Sequence, residues 1–477
     1  MPQPNAPEVQ QYFDELIQEL KAPVVCGYAG ENKGKAIYSA QEIAGGSMIF
    51  TERPYVAMQH EDNKDLADCC EHCFVSLINS RDCWERVEAV NEGEKDLATF
   101  DEFMATVDLL QQQGGAAPEE SYFYVYRLAK NKVQCECGLL YCSDKCKKQA
   151  YVEQHALLCS HADDNHSTPM GAFINHSTAT NEIFQLAAKV IARVLMRFMQ
   201  THDLGLARKP VDMFCKLPWW DVVVSEADLD PGQTLEEERM VFKSLVGQTH
   251  QYFLAGLRDN LERLEKLGEL NGLTTDAVMG TCTDVLTVDF FGSVVGMFEM
   301  NNISMEIDHP FKTIGEALAE NVMDEKKEIP AMITKVNHAL DVYAKKYDVC
   351  GCDDHEDAEC GHDHDHDHDH DHHHHDHEDG EVINDCCGRS EDAFVGVEGT
   401  ALFSVICTMN HSCDPNCIVV YMRDGTAQVY AVKDIKPGDE LCIAYIDIDQ
   451  DVHDRNACLR EYQFECHCAT CEEERKA

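Results

Sequence analysis

Cysteines in short clusters constrain the fold of this chain more than any other feature of its sequence. The 477 residues include 25 cysteines, many of them in motifs such as CEHC, CECGLLYC and ECHCATC. Disulfide scaffolds are usually much shorter, secreted chains, whereas clustered cysteines in a reducing compartment indicate metal ligands. The chain opens without a secretory signal and has no apolar run long enough to span a membrane. The sequence therefore predicts a zinc protein of the cytoplasm or nucleus.

Two zinc sites are predicted between residues 70 and 159. Zinc prefers thiolate and imidazole ligands, four to each closed structural site. One pair of candidate ligands forms a C-x2-C motif, one forms C-x-C, and two pairs have a spacing of four residues. A spacing of four would place both members of a pair on one face of a helix. The predicted ligands are Cys70, Cys73, Cys135, Cys137, Cys142, Cys146, His155 and Cys159.

A third zinc site is predicted near the C-terminal end of the sequence. The motif ECHCATC supplies Cys466, Cys468 and Cys471, which leaves a four-ligand site one ligand short. Cys413, in the motif NHSC, is the expected fourth ligand, brought in by folding. A zinc ion held there would tie the tail against the NHSC segment and form one wall of a pocket. We therefore expect about three zinc ions in all.

The pattern of apolar residues predicts strands at both ends of the chain and helices in its middle. β-Branched residues and glycine turns favour short strands at 24–58, and a strand-like pattern resumes at 394. Apolar residues at helical spacing predict a helix at 181–200 and two more within 233–269. Residues 284–307 mix apolar and β-branched residues, which indicates a return to the sheet. The sequence therefore predicts an α+β fold.

A low-complexity segment of alternating histidine and aspartate lies within residues 350–388. Because GHDHDHDHDHDHHHHDHEDG has almost no apolar residues, it is predicted to be a disordered insertion. A tolerated loop expansion is the simpler interpretation, and a low-affinity zinc or nickel site is the alternative. The formal net charge of −48 disfavours direct nucleic-acid binding and favours a basic protein partner.

Three C-terminal motifs carry a resemblance to a known family. MNHSCDPNC (409–417), GDELCIAYID (438–447) and REYQFECHCATC (460–471) resemble the second half of a SET domain with its zinc-binding post-SET tail. The block YCSDKC, followed by a histidine and a cysteine, resembles a MYND zinc finger. A MYND finger inserted near the start of a split SET domain is the arrangement of the SET and MYND domain-containing family of lysine methyltransferases.

The resemblance implies a SET-domain fold of short strands, split by a MYND finger and a helical insertion. It implies a zinc-binding tail and no helical C-terminal domain. The implied segments are an N-terminal segment (1–23), the first SET part (24–68), the MYND finger (69–159), the helical SET insertion (160–283), the SET continuation (284–349), the His/Asp-rich insertion (350–388), the second SET part (389–448) and the post-SET tail (449–477).

The resemblance also implies an activity, the transfer of methyl groups from S-adenosylmethionine to lysine. The expected substrate is a basic protein such as a histone or a ribosomal protein, and the enzyme is expected to be a monomer. Tyr445 and Tyr462 are the implied catalytic residues. Because a dry aromatic channel disfavours the ammonium form, it would lower the lysine pKa from its usual value of about 10.4. The implied cofactor-binding residues are Lys33, Gly34, Lys35, Asn301, Asn410, His411 and Phe464.

Two departures from the family pattern leave an alternative open. The turn that usually reads G-x-G is KGKA here, with Ala36 in place of the second glycine. The third pair of finger ligands is C-x-C instead of C-x2-C, so Cys69 or Cys83 could substitute there. The alternative is a catalytically weak adaptor that binds protein partners through its MYND finger.

Overall fold

The chain divides into two compact units, each described here by itself. The larger unit comprises 1–79, 126–308 and 396–477, and the smaller comprises 80–125 and 309–395. The computed structural model describes residues 6–31, 33–91, 98–114, 132–161, 168–224, 229, 232–323, 331–347, 394–460, 462 and 464–476. The His/Asp-rich insertion lies outside the described residues, so its predicted disorder stays a prediction.

Strands and helices occur in blocks along the described residues, with most strands near the two ends and most helices in the middle. The strands are β1 (Val24–Tyr28), β2 (Lys35–Ser39), β3 (Met48–Glu52), β4 (Val56–Gln59), β5 (Val133–Gln134), β6 (Leu140–Tyr141), β7 (Ile303–Ile307), β8 (Val397–Leu402), β9 (Asn410–His411), β10 (Cys417–Tyr421), β11 (Ala427–Ala431) and β12 (Cys442–Ile443). The helices are α1 (Pro7–Leu20), α2 (Glu61–Lys64), α3 (Ser80–Val90), α4 (Phe100–Gly114), α5 (Asp144–Glu153), α6 (Pro169–Thr180), α7 (Ile183–Thr201), α8 (Leu204–Asp212), α9 (Trp219–Val222), α10 (Leu235–Leu267), α11 (Thr275–Thr281), α12 (Val288–Asn301), α13 (Pro310–Met323), α14 (Ala331–Tyr347), α15 (Val452–Leu459) and α16 (Ala469–Glu474).

The sheets of the larger unit join the two ends of the chain. Strand β3 pairs with β11, which pairs with β10, and β8 pairs with both β4 and β7. Strands β1 and β2 form a hairpin, and the short strands β9 and β12 pair in parallel. These pairings confirm the strands predicted at 24–58 and after 394, and with the helices they give the predicted α+β class.

The middle of the chain forms a helical core, with one correction to the prediction. Residues 233–269 form the single continuous helix α10, not two helices. It begins at a capping box, in which the Thr234 and Glu237 side chains bond each other's backbone N–H groups, and it ends at Gly268 in the left-handed conformation. The helix continues through Gly256, where the lack of a side chain lets the backbone of Met170 approach. A Cβ at this position would stand 2.7 Å from the Met170 Cα.

A second correction concerns residues 284–307, where a strand pattern was expected. Only β7 is a strand, and the residues before it form α12, which Thr287 caps through its side chain. Helix α12 buries apolar residues around most of its circumference, such as Phe291, Val294 and Phe298. Because it is apolar on several sides, its helical periodicity is hidden in the sequence.

The described part of the smaller unit consists of α3, α4, α13 and α14, and the sequence analysis did not predict a separate unit there. Its core is aromatic, with the Trp84 ring stacked on Phe103 at a centroid distance of 4.6 Å and Phe311 packed 4.5 Å from Phe103. The range 69–159, predicted to be a finger, therefore contributes residues to both units. Within the described ranges, every helix is either too short or too polar to cross a membrane.

Candidate functional site

The first finger cluster brings together four cysteines from two distant segments. The ligand atoms of Cys70, Cys73, Cys142 and Cys146 all lie within 4.8 Å of one another. The measured sulfur–sulfur distances are 3.7 Å for Cys73 to Cys142, 3.4 Å for Cys142 to Cys146 and 3.8 Å for Cys146 to Cys73. Thiolates at about 2.3 Å from a tetrahedral zinc ion stand about 3.8 Å apart. The four side chains therefore fit one zinc ion.

The second finger cluster consists of Cys135, Cys137, His155 and Cys159, again within 4.8 Å of one another. The Nε2 atom of His155 lies 3.4 Å from the sulfur of Cys135 and 3.6 Å from that of Cys137. Three sulfurs and one imidazole nitrogen are a ligand set that zinc accepts. The eight predicted finger ligands thus separate into two complete groups of four.

The reason given for the four-residue spacings was wrong, although the pairs do meet. Cys142 lies between β6 and α5, where Ser143 caps the helix by accepting a hydrogen bond from the amide of Cys146. His155 begins a single 3-10 turn, and the amide of Cys159 donates to its carbonyl oxygen. A capped helix start and a tight turn, not one face of an α-helix, place the two members of each pair together.

The alternative finger ligands have other surroundings. The Cys69 thiol donates to the side-chain oxygen of Gln59 at 3.1 Å, and Cys83 is buried in the smaller unit. Glu136, Cys159 and His161 form a further group of possible ligands. Within this group the Glu136 carboxylate already pairs with the imidazole of His161 at 2.6 Å, and Cys159 belongs to the second finger cluster.

The third cluster gathers Cys413 and the three tail cysteines within 4.8 Å of one another, as the fold was expected to do. The sulfur of Cys471 lies 3.5 Å from that of Cys413. The guanidinium of Arg455 donates to the sulfur of Cys471 at 3.8 Å and to the carboxylate of Glu474 at 2.6 Å. Arg455 is only 3% exposed, so a buried cation faces a group of four thiols.

Next to this cluster, the side chain of Asn410 binds the start of β2. Its Nδ2 atom donates to the carbonyl oxygen of Lys35 at 3.0 Å and to Glu440 at 2.8 Å. The other oxygen of the same carboxylate pairs with the ammonium of Lys33 at 2.8 Å. Glu440 therefore bridges two of the predicted cofactor residues.

Lys35 and Asn301 are held by one further segment, the residues that follow α8. The ammonium of Lys35 donates to the carbonyl oxygen of Met213, and the side-chain amide of Asn301 donates to that of Cys215 at 2.8 Å. Burial lowers the pKa of Lys35 to about 8. Lys33, Lys35 and Asn410 thus lie along one set of hydrogen bonds through Glu440, and Lys35 and Asn301 each bind a carbonyl of the same short segment, 213–215.

The turn between β1 and β2 is open where a ligand could approach its backbone. Gly34 has a φ of +67°, which favours glycine, and a Cβ built there would meet no atom within 4 Å. Ala36, the departure from the family pattern, is fully buried opposite Gly27 in the hairpin. Its methyl group therefore packs inside the sheet and does not obstruct the open turn.

Three aromatic rings surround the ring of Tyr445, the predicted catalytic tyrosine. The Tyr445 ring lies 5.2 Å from Tyr462, 5.5 Å from His411 and 6.3 Å from Phe464, between centroids. The Tyr445 hydroxyl donates to the carbonyl oxygen of Met409 at 2.5 Å. Burial raises the pKa of Tyr445 well above its usual value of 10.0, so its hydroxyl stays protonated at neutral pH.

His411 links Tyr445 to the third cluster. Its Nδ1 atom accepts the backbone N–H of Tyr445 at 3.1 Å, so the ring carries its proton on Nε2. That N–H faces the sulfur of Cys413 at 3.2 Å. Burial lowers the pKa of His411 to about 4, which keeps the ring neutral.

Several residues of this site carried no signal that the sequence analysis used. Glu440 lies inside the motif GDELC, and its position between two predicted cofactor residues could have been suspected. Met213 and Cys215 contribute backbone carbonyl groups, which any residue could supply. Arg455 is a buried charged residue, and its burial is visible only after folding.

Comparison with known proteins gives one family match and several relatives. The SET domain family model matches residues 316–446. The chain is 24% identical over 521 aligned residues to histone-lysine N-methyltransferase ATXR2 of Arabidopsis thaliana, covering 98% of this chain and 94% of that protein. It is 22% identical to protein-lysine N-trimethyltransferase SMYD5 of Danio rerio, covering 98% and 91%.

A shorter stretch is more similar to another relative. Over 82 residues the chain is 45% identical to N-lysine methyltransferase SMYD2 of Homo sapiens, which covers 17% of this chain and 19% of that protein. The family resemblance read from the C-terminal motifs is confirmed by these matches, and SMYD5 among the relatives is SET and MYND domain-containing protein 5. The chain carries a SET domain and is related along nearly its whole length to SET and MYND domain lysine methyltransferases.

Proposed function

We propose that this chain is a protein-lysine methyltransferase that uses S-adenosylmethionine. The observation that carries the proposal is the neutral Tyr445 hydroxyl, held against the Met409 carbonyl beside the Tyr462 and Phe464 rings. The hydrogen bonds of Lys35, Asn301 and Asn410 belong to the same unit. The names of the relatives, all of them lysine methyltransferases, support this activity.

S-adenosylmethionine supplies a methyl group on a positively charged sulfur. The open turn at Gly34 and the polar groups near it suit the amino-acid end of such a molecule, since a Cβ built at Gly34 would meet no atom within 4 Å and a ligand could approach there. The residues that would hold the cofactor are Lys33, Gly34, Lys35, Asn301, Asn410, His411 and Phe464.

The aromatic rings would prepare the lysine for reaction. An amine surrounded by Tyr445, Tyr462 and Phe464 loses its hydration, so its ammonium form is disfavoured and its pKa falls. The Tyr445 hydroxyl and the Met409 carbonyl then offer a fixed dipole pair that orients the neutral nitrogen. Alignment of nitrogen and methyl group can contribute roughly 7–11 kcal/mol of barrier lowering. No acid–base pair is needed for this step.

The three cysteine clusters would be closed structural zinc sites. Each offers four sulfur or imidazole ligands and no open position, the pattern of zinc that stabilises a fold and does not take part in chemistry. We assign the first two clusters to a MYND-type finger and the third to a post-SET tail. The third also supports the active site, since Cys413 contacts His411.

The substrate would be a basic protein, because the chain has a formal net charge of −48 and opposite charge favours encounter. Histone and ribosomal-protein lysines are both suitable, and the relatives' names include a histone-lysine and a protein-lysine enzyme. We place the enzyme in the cytoplasm or nucleus and expect it to act as a monomer without binding nucleic acid directly.

Labelled S-adenosylmethionine, added with the full chain to fractionated nuclear and cytosolic extract, tests the proposal. Label in a basic protein, mapped to lysine by mass spectrometry and absent with Tyr445→Phe, is the expected result. The matched control is Tyr421→Phe, on β10. A chain that labels no protein, and whose thermal stability does not rise with saturating S-adenosylmethionine, would instead fit the adaptor alternative.

A further inference from the structure

A buried carboxylate outside the aromatic cluster holds the segment that carries the Met409 carbonyl. Glu52, the last residue of β3, is 4% exposed. Its oxygens accept the backbone N–H of Val405 at 2.9 and 3.2 Å and that of Ile406 at 2.9 Å. Two consecutive amides of one segment are thereby fixed to the end of a strand more than 350 residues earlier in the sequence.

The held segment leads directly to the catalytic tyrosine. After Val405 and Ile406 the chain makes a 3-10 turn, in which the Met409 amide donates to the Ile406 carbonyl at 3.0 Å. The Met409 carbonyl then accepts the Tyr445 hydroxyl at 2.5 Å. Three hydrogen bonds in sequence therefore connect the Glu52 carboxylate to the Tyr445 hydroxyl.

We propose that Glu52 is a positioning residue for methyl transfer, which fixes the Tyr445 hydroxyl through the Ile406 and Met409 peptide groups. The inference rests on the proposed function, in which that hydroxyl orients the amine. Ile406 and Met409 are each hydrogen-bonded at both the N–H and the C=O, and these bonds hold the backbone of the turn between them in one conformation. Loss of the carboxylate would release the turn and displace the Met409 carbonyl.

The chemistry of Glu52 suits this role better than that of a packing residue. A buried charge is unfavourable unless its oxygens are hydrogen-bonded, and an apolar side chain would avoid that penalty. Burial raises the pKa of Glu52 to about 7, while the N–H groups of Val405, Ile406 and Ser404 lower it. The carboxylate is thus retained at an unfavourable position, where its partners are the amides that begin the path to Tyr445.

Glu52→Gln is the variant that tests the path, because it keeps the shape of the side chain. With either orientation of the amide, its NH2 group faces a backbone N–H at about the distance of a hydrogen bond, and one neutral oxygen is left to accept in place of two charged ones, so the hold on the segment is weakened. At pH 8.5, where wild-type Glu52 is ionised, we expect kcat to fall between about 10-fold and 100-fold. The KM for S-adenosylmethionine should change by less than about twofold, because Asn410 keeps its bonds to Lys35 and Glu440.

Glu19→Gln is the matched control. Glu19 and Glu52 line the same cavity of about 630 Å³ beside α1, so both variants remove one charge from it. Glu19→Gln should leave kcat unchanged. In a Tyr445→Phe background, Glu52→Gln should reduce the single-turnover rate of methyl transfer little further, because the two residues would act through one path. Wild-type kcat in Glu52→Gln, or an equal effect in both backgrounds, would overturn the inference.

Amide hydrogen exchange separates this inference from the proposed function. In Glu52→Gln the amides of Val405, Ile406 and Met409 should exchange faster than in wild type, whereas in Glu19→Gln they should not. If the wild-type chain transfers no methyl group, the proposed function fails, and the exchange of these three amides still decides whether Glu52 holds the turn. Unchanged exchange would overturn the inference even in an active enzyme.

Discussion

Replacement of Arg455 by methionine should weaken zinc binding at the tail cluster. Four thiolates around one zinc ion have a net charge of −2, and Arg455 is the buried cation that contacts them. Two unit charges at 3.8 Å attract by about 4 kcal/mol in an effective dielectric of about 20. Zinc would withdraw part of the thiolate charge and the Glu474 carboxylate offsets part of the guanidinium charge, so about half of this energy, roughly 2 kcal/mol, is the expected contribution. That corresponds to about 30-fold in zinc affinity.

Competition with a chromophoric chelator, monitored as zinc is removed from the full chain, measures this effect. One ion per chain should become about 30-fold easier to remove in Arg455→Met, whereas the two finger ions should be unaffected. Arg455→Lys keeps the charge and should recover part of the affinity. Arg460→Met, which removes an exposed arginine at the end of the same helix, is the control. An unchanged affinity in Arg455→Met, or an equal loss in Arg460→Met, would refute the electrostatic argument.

Three further predictions follow from contacts of the same unit. Tyr445→Phe should strongly reduce kcat or change the number of methyl groups added, and should lower the free energy of unfolding by about 1–3 kcal/mol because the Met409 carbonyl loses its donor; wild-type rates and products would remove Tyr445 from the mechanism. Cys466→Ser should abolish one zinc site, loosen the tail and raise the apparent KM for S-adenosylmethionine about tenfold; an unchanged KM would mean that the tail does not wall the pocket. Because the folded pKa of Glu52, about 7, lies above the ordinary value of 4.5, its stabilising contribution is complete below pH 4.5 and is lost as the pH rises through 7. Its nearest titratable neighbours, Tyr12 and Cys407, have raised pKa values above this window. In urea unfolding from pH 5 to 9, the free energy of unfolding of the wild type should therefore fall by roughly 3 kcal/mol relative to that of Glu52→Gln. A free energy of unfolding that depends on pH equally in both proteins would contradict this.

The zinc clusters and the strands were predictable because their signals are local. Each finger pair lies within a few residues of its partner, and strand alternation is read over five or six positions. The predicted link from Cys413 to the tail required only that a three-ligand motif find a fourth ligand. The reasoning failed where it assumed that a spacing of four requires a helix, since Ser143 and a 3-10 turn produce the same proximity.

The smaller unit and the contacts of Lys35 and Asn301 could not be predicted in this way. Trp84 and Phe311 belong to one aromatic core, but more than 200 positions separate them in the sequence, and no motif connects them. The bonds from Lys35 to Met213 and from Asn301 to Cys215 end on backbone carbonyl groups, which leave no trace in residue identity. Helix α12 was missed because an element buried on several sides loses the polar face that reveals its period.

With a zinc ion bound, the first finger cluster would also act as a cross-link within the chain. Cys73 and Cys142, 69 positions apart, bracket a stretch that sends α3 and α4 into the smaller unit. By analogy with a disulfide, a metal ion that joins the ends of such a loop removes about 4 kcal/mol of conformational entropy from the unfolded chain. Because that entropy grows only with the logarithm of loop length, a doubling of the bracketed stretch would add about 0.6 kcal/mol. The metal thus lets this stretch lengthen or shorten at little cost to the rest of the protein.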